Sequence, residues 1–574
     1  MDNDPITPVQ RFWKLLKPDS KEVRNVYIYS IFSGLISLSL PLGIQTIVNL
    51  IQGGQINTSW IILVIFVVLG IAVVGVLQIF QLRITENLQQ KIFTRAAFEF
   101  SYRVPKIRME VLYRHYAPEL MNRFFDIVTV QKGLSKILID FSAAFFIVVF
   151  SLLLLSFYHP FFILFSIALL MLVYTIFRYT AAKGMRTSLV ESKFKYKVAH
   201  WLEELSRTAT TFKLGGRSEL PLEKTDKCVE GYLEARENHF KVLVQQYSLM
   251  VAFKVLVAMG LLAIGGILVM DQQMNIGQFI AAEIIVLTVI ASVEKLILSI
   301  ESIYDILTSL EKIGQVTDLE LERENGINVE VNPEDAGIEI AIENVSFTYP
   351  DANQKTLNNI SVSVNKGEIL LITGDSNSGK STLLYILAGL YQVQEGTVSY
   401  NKLPAGNLSL NSIREQVGSH MTMERLFEGT VLDNITLGRE AATFKNVKWA
   451  VEELELTEFI KTLPQGYNTM LNAQGKRLPE SIVTKLLLAR SIASKPKLLL
   501  LENTFEHLDE VSGKKIMKFL TNKQNRWSMV AVSSNTYLAK SSDKIVVLKS
   551  GKIQHTGTYN ELKDIVHFKA NKNA

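Results

Sequence analysis

Cysteine is nearly absent from this chain. The single thiol, Cys228, excludes a disulfide framework, and the eight histidines are scattered without the spacing of a metal-ligand cluster. Charge is missing from two long stretches: no Asp, Glu, Lys or Arg occurs from Asn25 to Leu82 or from Phe141 to Phe177. Such runs exclude an ordinary soluble helical core, because a membrane span needs only about 20 apolar residues. A cleavable leader is not evident either, since the first apolar run is long and lacks a small-residue cleavage site. There is no internal repeat and no low-complexity tract. The net charge of +5 is accounted for by basic residues flanking the apolar runs, so no nucleic-acid partner is expected.

What is present is apolar and helical in the first half. Hydrophobic residues make up 48% of the chain, and mean hydropathy is +0.20. The stretch 25–82 holds two spans broken at the polar turn "QGGQINTS" (52–59), and "YHP" (158–160) folds 141–177 into a hairpin. Two further spans fit 247–270 and 276–300, with Lys254 and Glu283 inside them and Glu294-Lys295 near the inner end of the last. Ionisable groups in lipid are costly and often functional. Lys254 is expected to snorkel or to pair with Glu294, whereas Glu283 is open to either a translocation cavity or a structural partner. Lys and Arg crowd the N-terminus, 83–136 and 183–241, which by the positive-inside rule makes both termini and both long segments cytoplasmic in a multi-pass cell (inner) membrane protein.

Four segments follow. Residues 1–24 form an amphipathic N-terminal helix, Phe12, Trp13, Leu15 and Leu16 lying among lysines as in a headgroup-layer helix. Residues 25–318 form a six-span domain with two long cytoplasmic extensions. Each extension reads as two helices, turning near "RHYAPELMNRFFD" (114–126) and "FKLGGRSELPLEK" (212–224); 25 helical residues would reach roughly 38 Å. A charged linker spans 319–337, and from 338 to 574 short β-rich runs alternate with helical ones, as in an α/β fold.

Within that last segment "ILLITGDSNSGKSTLLYILAG" (369–389) carries the most specific signal. An apolar strand leads into Gly374, Asp375, Ser376, Asn377, Ser378, Gly379, Lys380, Ser381 and Thr382, a GxxxxGKS loop followed by a helix. Its glycines let backbone N–H groups curl around phosphate, helped by the helix N-terminus. Lys380 would neutralise the β- and γ-phosphates, and Ser381 would offer its hydroxyl to Mg²⁺. Downstream, "LLLLENTFEHLDE" (498–510) has the outline of a buried strand delivering an acid to a bound metal-nucleotide.

Six spans, two cytoplasmic extensions and a C-terminal phosphate-loop domain together resemble an ABC half-transporter of the exporter type, over essentially the whole chain. Bacterial type I secretion and peptide exporters are the nearest in kind, without their N-terminal peptidase-like domain. The resemblance implies a membrane α-helical domain plus an α/β ATP-binding domain, ATP and Mg²⁺ as cofactors, and dimerisation with a second half-transporter, identical or different. It adds a periplasmic adaptor and an outer-membrane channel as further partners. "FTYP" (347–350) matches the adenine-stacking loop, making Tyr349 the base platform, and "IREQVG" (413–418) matches the approach to the Q-loop. "LLLLENTFEHLD" matches the Walker B strand and D-loop, with Asp509 as the D-loop aspartate.

The chain departs from this family pattern where hydrolysis is carried out. Glu502 stands for the Mg²⁺-linked aspartate, Asn503 for the catalytic glutamate, Ser534 for the switch histidine and Thr422 for the Q-loop glutamine. The signature LSGGQ reads Leu478-Pro479-Glu480-Ser481-Ile482. Asn503 cannot take a proton from water, and a lost acid–base group commonly costs about 10²–10⁴ in rate. Pro479 has no N–H to donate, and Glu480 sets negative charge toward a polyanion. His420, Glu506 and His507 are nearby in sequence as substitutes, though none falls in the matching register. The expectation is an export subunit switched by ATP binding, with hydrolysis weak or absent in its own site. The competing expectation is a non-transporting, nucleotide-sensing scaffold or regulator of an envelope complex.

Overall fold

The computed structural model describes residues 6–53, 58–332, 334–566 and 568. The chain divides into two compact units, Met1–Pro105 with Tyr116–Leu319, and Lys106–His115 with Glu320–Ala574.

The first unit is helical throughout its described residues. Backbone amides in an apolar surround must be satisfied within their own segment, which selects the helix. After α1 (Pro8–Leu16) come α2 (Ser20–Ser37), α3 (Ser39–Gln52), α4 (Thr58–Arg103), α5 (Asp126–Ser135), α6 (Ser142–Ser156), α7 (Pro160–Arg207), α8 (Leu220–Met270) and α9 (Ile276–Thr317). Among the described residues six helical stretches are long and apolar enough to cross a membrane. Their breaks fall at 158–159 and at 271–275 as expected; of the break at 52–59, residues 54–57 lie outside the described residues.

Helix α9 is the centre of this unit. It packs against α3, α5, α6, α7 and α8, and Ile285, Val289 and Val293 on its buried side meet Val148, Phe162, Met250 and Phe253. Helix α1 is started by a reciprocal Thr7–Gln10 capping box. It is tied to the end of α9 by Arg11, which pairs with Glu311 at 3.6 Å and with Asp318. Leu16 is buried while Trp13 is exposed. Buried Asp19, just after α1, accepts from Arg95 at 2.5 Å, and Arg95 lies roughly 20 Å along α4 from the end of its uncharged run. The contacts described for α1 are therefore with protein.

The extensions differ from expectation at one turn. The second turns between Arg207 and Leu220, as expected. The first breaks earlier: α4 ends at Arg103, 3₁₀ geometry follows at Val104–Lys106, and one short helical turn at Met109–Leu112 precedes the helix that starts at Ala117. Pro105 ends the helix, because it has no N–H for the ladder and its ring clashes with the preceding turn. The ten residues so released, 106–115, belong to the second unit.

In that unit a six-stranded sheet has the order β9-β8-β3-β7-β6-β5, comprising β3 (Ile369–Gly374), β5 (Val417–His420), β6 (Leu498–Glu502), β7 (Ser528–Val532), β8 (Lys544–Lys549) and β9 (Lys552–Gly557). A smaller antiparallel sheet contains β1 (Ile340–Phe347), β2 (Leu357–Val364) and β4 (Glu395–Tyr400). The central strands are apolar on both faces, as a covered parallel sheet requires. Alternation divides them between two cores, Ile369, Leu371, Leu499 and Leu501 on one side and Leu370, Ile372, Leu498 and Leu500 on the other. The charged stretch expected as a linker is bonded rather than free. Glu322 takes both nitrogens of Arg414 at 2.6 and 2.8 Å, Arg323 donates to the carbonyls of Ala405, Gly406 and Leu408, and Val329 is buried.

Lys254 pairs with Glu294, Nζ to Oε2 at 2.6 Å, while Glu283 is half-buried on α9 with no ion-pair partner among the described residues. Breaking the pair leaves one charge in an apolar surround. Lys254→Met is expected to lower the thermal unfolding midpoint of the detergent-purified protein, by a destabilisation of about 1 kcal/mol, and Lys254→Met with Glu294→Leu to recover most of it.

Candidate nucleotide site

Parallel pairing assembles the site at one sheet edge. Ile372 lies opposite Val532, Val532 opposite Glu502 and Leu501 opposite His420. Neighbouring strands are about 4.8 Å apart, so the loops leaving β3, β7, β6 and β5 converge at their carboxyl ends, where open α/β sheets bind ligands. The phosphate loop, Ser534, Glu502-Asn503 and Thr422 are thus brought together, as their order in the sequence predicted.

The loop from Gly374 to Lys380 depends on backbone that side chains resist. Gly374 has φ +138°, and a Cβ there would meet the Leu548 carbonyl oxygen at 2.0 Å; Gly379, at φ +95°, would meet the Thr356 carbonyl at 2.8 Å. Asn377 takes φ +61°, a left-handed conformation that asparagine tolerates better than most residues. Helix α10 (Lys380–Leu387) starts directly from Gly379, so its free N–H groups open toward the loop. Lys380 Nζ donates to the carbonyls of Gly374 at 3.0 Å and Asp375 at 2.5 Å and to Ser378 Oγ at 3.2 Å. Burial pulls its ammonium below the usual lysine range. These are exchangeable contacts that a phosphate oxygen can replace.

Tyr349 is set in an aromatic cluster. Its hydroxyl hydrogen-bonds Thr382 Oγ1 at 3.1 Å, and Phe347 and Tyr391 meet its ring edge-on at 5.1 and 5.3 Å. Tyr113, from the 106–115 segment, stacks on it at 5.2 Å with an interplanar angle of 23°. A cavity of about 490 Å³ borders Tyr349, lined also by Arg108, Arg114, Glu320 and Gln394. Sequence reasoning missed the contact of Tyr113 with Tyr349; the signal available was that "VLYRHY" puts two aromatics near a helix break.

The groups expected to act on magnesium are not joined as a metal site. Glu502 is buried, and its Oε2 accepts from the Thr422 backbone N–H at 2.8 Å and from the Tyr385 hydroxyl at 3.5 Å. Among the described residues no hydrogen bond links the Ser381 hydroxyl to that carboxylate. Tyr385 is pushed up to about 12, first by burial and then by the Glu502 charge, so it stays a donor. Of the two groups expected to face magnesium, Glu502 has its Oε2 directed to Thr422 and Tyr385 instead.

Asn503 leaves β6 at φ +47° with its N–H on the Val532 carbonyl at 3.0 Å, and its side chain is exposed. Ser534 sits two residues past the end of β7. Of the substitutes nearby in sequence, His420 is buried with Nδ1 2.9 Å from Thr504 Oγ1, held neutral and internal, while Glu506 and His507 are exposed on the following loop. Helix α11 (Glu480–Ala493) begins at Pro479. Exposed Glu480 in its first turn answers the positive end of the helix with its own carboxylate.

Two family models match the chain: "ABC transporter transmembrane region" over residues 24–293 and "ABC transporter" over 357–506. A solved bacterial Atm1-family ABC exporter with ATP bound superposes with a TM-score of 0.82 at 18% identity, covering 96% of this chain and 97% of that one. Its likeness is one of fold. With these matches the chain is an ABC exporter-type half-transporter, a transmembrane region and an ATP-binding domain in one polypeptide. It is similar to the alpha-hemolysin translocation ATP-binding protein HlyB of Escherichia coli O157:H7, 29% identical over 59% of this chain and 47% of that protein. It is also similar to the ATP-dependent lipid A-core flippase of Desulfotalea psychrophila, 26% identical over 64% of each, and to ABC transporter B family member 14 of Arabidopsis thaliana, 32% identical over 38% of this chain and 18% of that protein. The chain spans less than two thirds of the length of each of these curated relatives.

Burial lowers the His420 imidazole to about 4 from 6.5. The unfolded chain takes up this proton at higher pH than the folded one, so stability is lost as pH falls from about 6.5 toward 4. His420→Gln is expected to remove that part of the pH dependence, up to about 3 kcal/mol, as read from thermal unfolding of the full chain across that range.

Proposed function

We propose that this chain is an export subunit of a cell (inner) membrane transporter that binds ATP as its conformational switch and hydrolyses it weakly or not at all in its own site. The observation that carries the reading is the contrast within one sheet edge: a complete phosphate loop, Gly374 to Thr382, beside Asn503 and Ser534 where a base and a γ-phosphate partner would stand. In phosphoryl transfer the protein supplies positioning and charge stabilisation. Gripping survives the loss of these groups, and cleavage does not.

A second half-transporter, identical or different, completes the assembly. Its signature helix would close on this chain's phosphate loop, and this chain's "LPESI" (478–482) would face the partner's site. Pro479 and Glu480 weaken that second site, so in a dimer of identical chains both are impaired. Both termini lie on the cytoplasmic side, where the basic residues concentrate. A periplasmic adaptor and an outer-membrane channel would join it if it serves secretion across two membranes.

Lys380→Ala is expected to abolish ATP binding by the purified chain in titration calorimetry; unchanged affinity overturns the phosphate-loop assignment. The wild type alone should release phosphate no faster than Lys380→Ala, and brisk turnover would overturn the impaired-site reading. Asn503→Glu with Ser534→His should restore little hydrolysis until residues 478–482 are also converted to LSGGQ.

A further inference from the structure

Glu502 is one methylene longer than the aspartate expected at the end of β6, an extension of about 1.5 Å. The structure puts that length to use. Strand β5 lies beside β6, with His420 opposite Leu501, and Thr422 is the second residue beyond β5. The Glu502 carboxylate crosses to it and accepts its backbone N–H at 2.8 Å, with Tyr385 hydroxyl on the same oxygen at 3.5 Å. A buried backbone N–H needs an acceptor, and a charged one makes a stronger bond than a neutral one. Glu502 is 3% exposed, and its Oε2 is committed to these two donors.

Thr422 changes with it. The side chain here is short and exposed and bears no amide oxygen to reach toward a cation. The two substitutions thus remove the acid and the amide from the phosphate side and join the two positions to each other. Of the positions aligned with the family's cation groups, Ser381 keeps its hydroxyl. The triphosphate charge falls instead to the Lys380 ammonium, the loop N–H groups and the N-terminus of α10.

We propose that this phosphate loop takes a nucleoside triphosphate as the metal-free anion, and that Glu502 is the anchor of the 421–425 loop and not a magnesium-directed group. This rests on the nucleotide-binding reading above. Family-wide logic would make Glu for Asp and Thr for Gln two separate losses; their contact makes them one exchange, of a cation site for a fixed loop.

The test is calorimetric titration of ATP into the full chain in lipid nanodiscs, once with EDTA and once with excess Mg²⁺. The dissociation constants are expected to agree within about threefold; tighter binding in Mg²⁺ by more than that overturns the proposal. Binding absent in both buffers overturns the phosphate-loop reading itself, whereas binding confined to Mg²⁺ overturns this inference alone. Glu502→Asp with Thr422→Gln is expected to give binding at least about tenfold tighter with Mg²⁺ than without; a folded double variant still indifferent to Mg²⁺ sinks the assigned cause. Because that variant removes an anchor, the wild-type comparison decides by itself if the variant does not fold.

Discussion

Parallel pairing of β3, β7, β6 and β5 is the constraint on which the nucleotide-binding half depends. Each strand position is matched to one on its neighbour, so a slip of one residue would turn Glu502 from the α10 side to the opposite core. The register is held by side chains that are apolar on both faces, Leu498 to Leu501 and Met529 to Val532 being fully enclosed. Position in this site is thus a product of core packing. The polar residues at the sheet edge inherit their places from leucines beneath them, which is why the frame tolerates replacement of its chemistry without losing its shape.

The membrane unit is organised around one helix instead of a sheet. Helix α9 has small or β-branched residues where its neighbours approach, Ala281, Ala282, Val286 and Val289 among them, all buried. Apolar side chains gain little by leaving lipid for one another, so close van der Waals fit has to hold such helices together. Some of the polar groups that remain inside bond one another: Gln246 donates to Thr180 at 2.9 Å and to Tyr304 at 3.0 Å, and Gln81 donates to the Val26 carbonyl and Ser30. Glu283 stands apart from this pattern.

Features that depend on neighbours in sequence were legible before the fold was known. The uncharged runs announced the spans, and the phosphate loop was evident because strand, glycine turn and helix are contiguous. Asn503 directly follows the end of β6, and Ser534 lies two residues past the end of β7. Features that depend on distant partners were not. Nothing near Glu502 in the chain points to the backbone of Thr422, eighty residues earlier. The bonding of 319–337 could not be read from its charges, because its partners, Arg414 and the carbonyls of 405–408, are remote in the chain. Pro105 decided the first extension's turn over the larger cluster of breakers downstream, since one missing N–H inside a ladder outweighs several residues that merely prefer loops.

The ATP-binding unit is made from two separated pieces of chain. Arg108 bonds Glu320 at 2.7 Å, Glu110 accepts from the Gln392 N–H at 3.1 Å, and Tyr113 covers Tyr349. During synthesis the first piece emerges roughly 200 residues before the second exists, and it must wait uncommitted until the last strands arrive. A fragment cut at Glu320 would be born without its own lid over Tyr349, and binding constants measured on it would describe a different molecule.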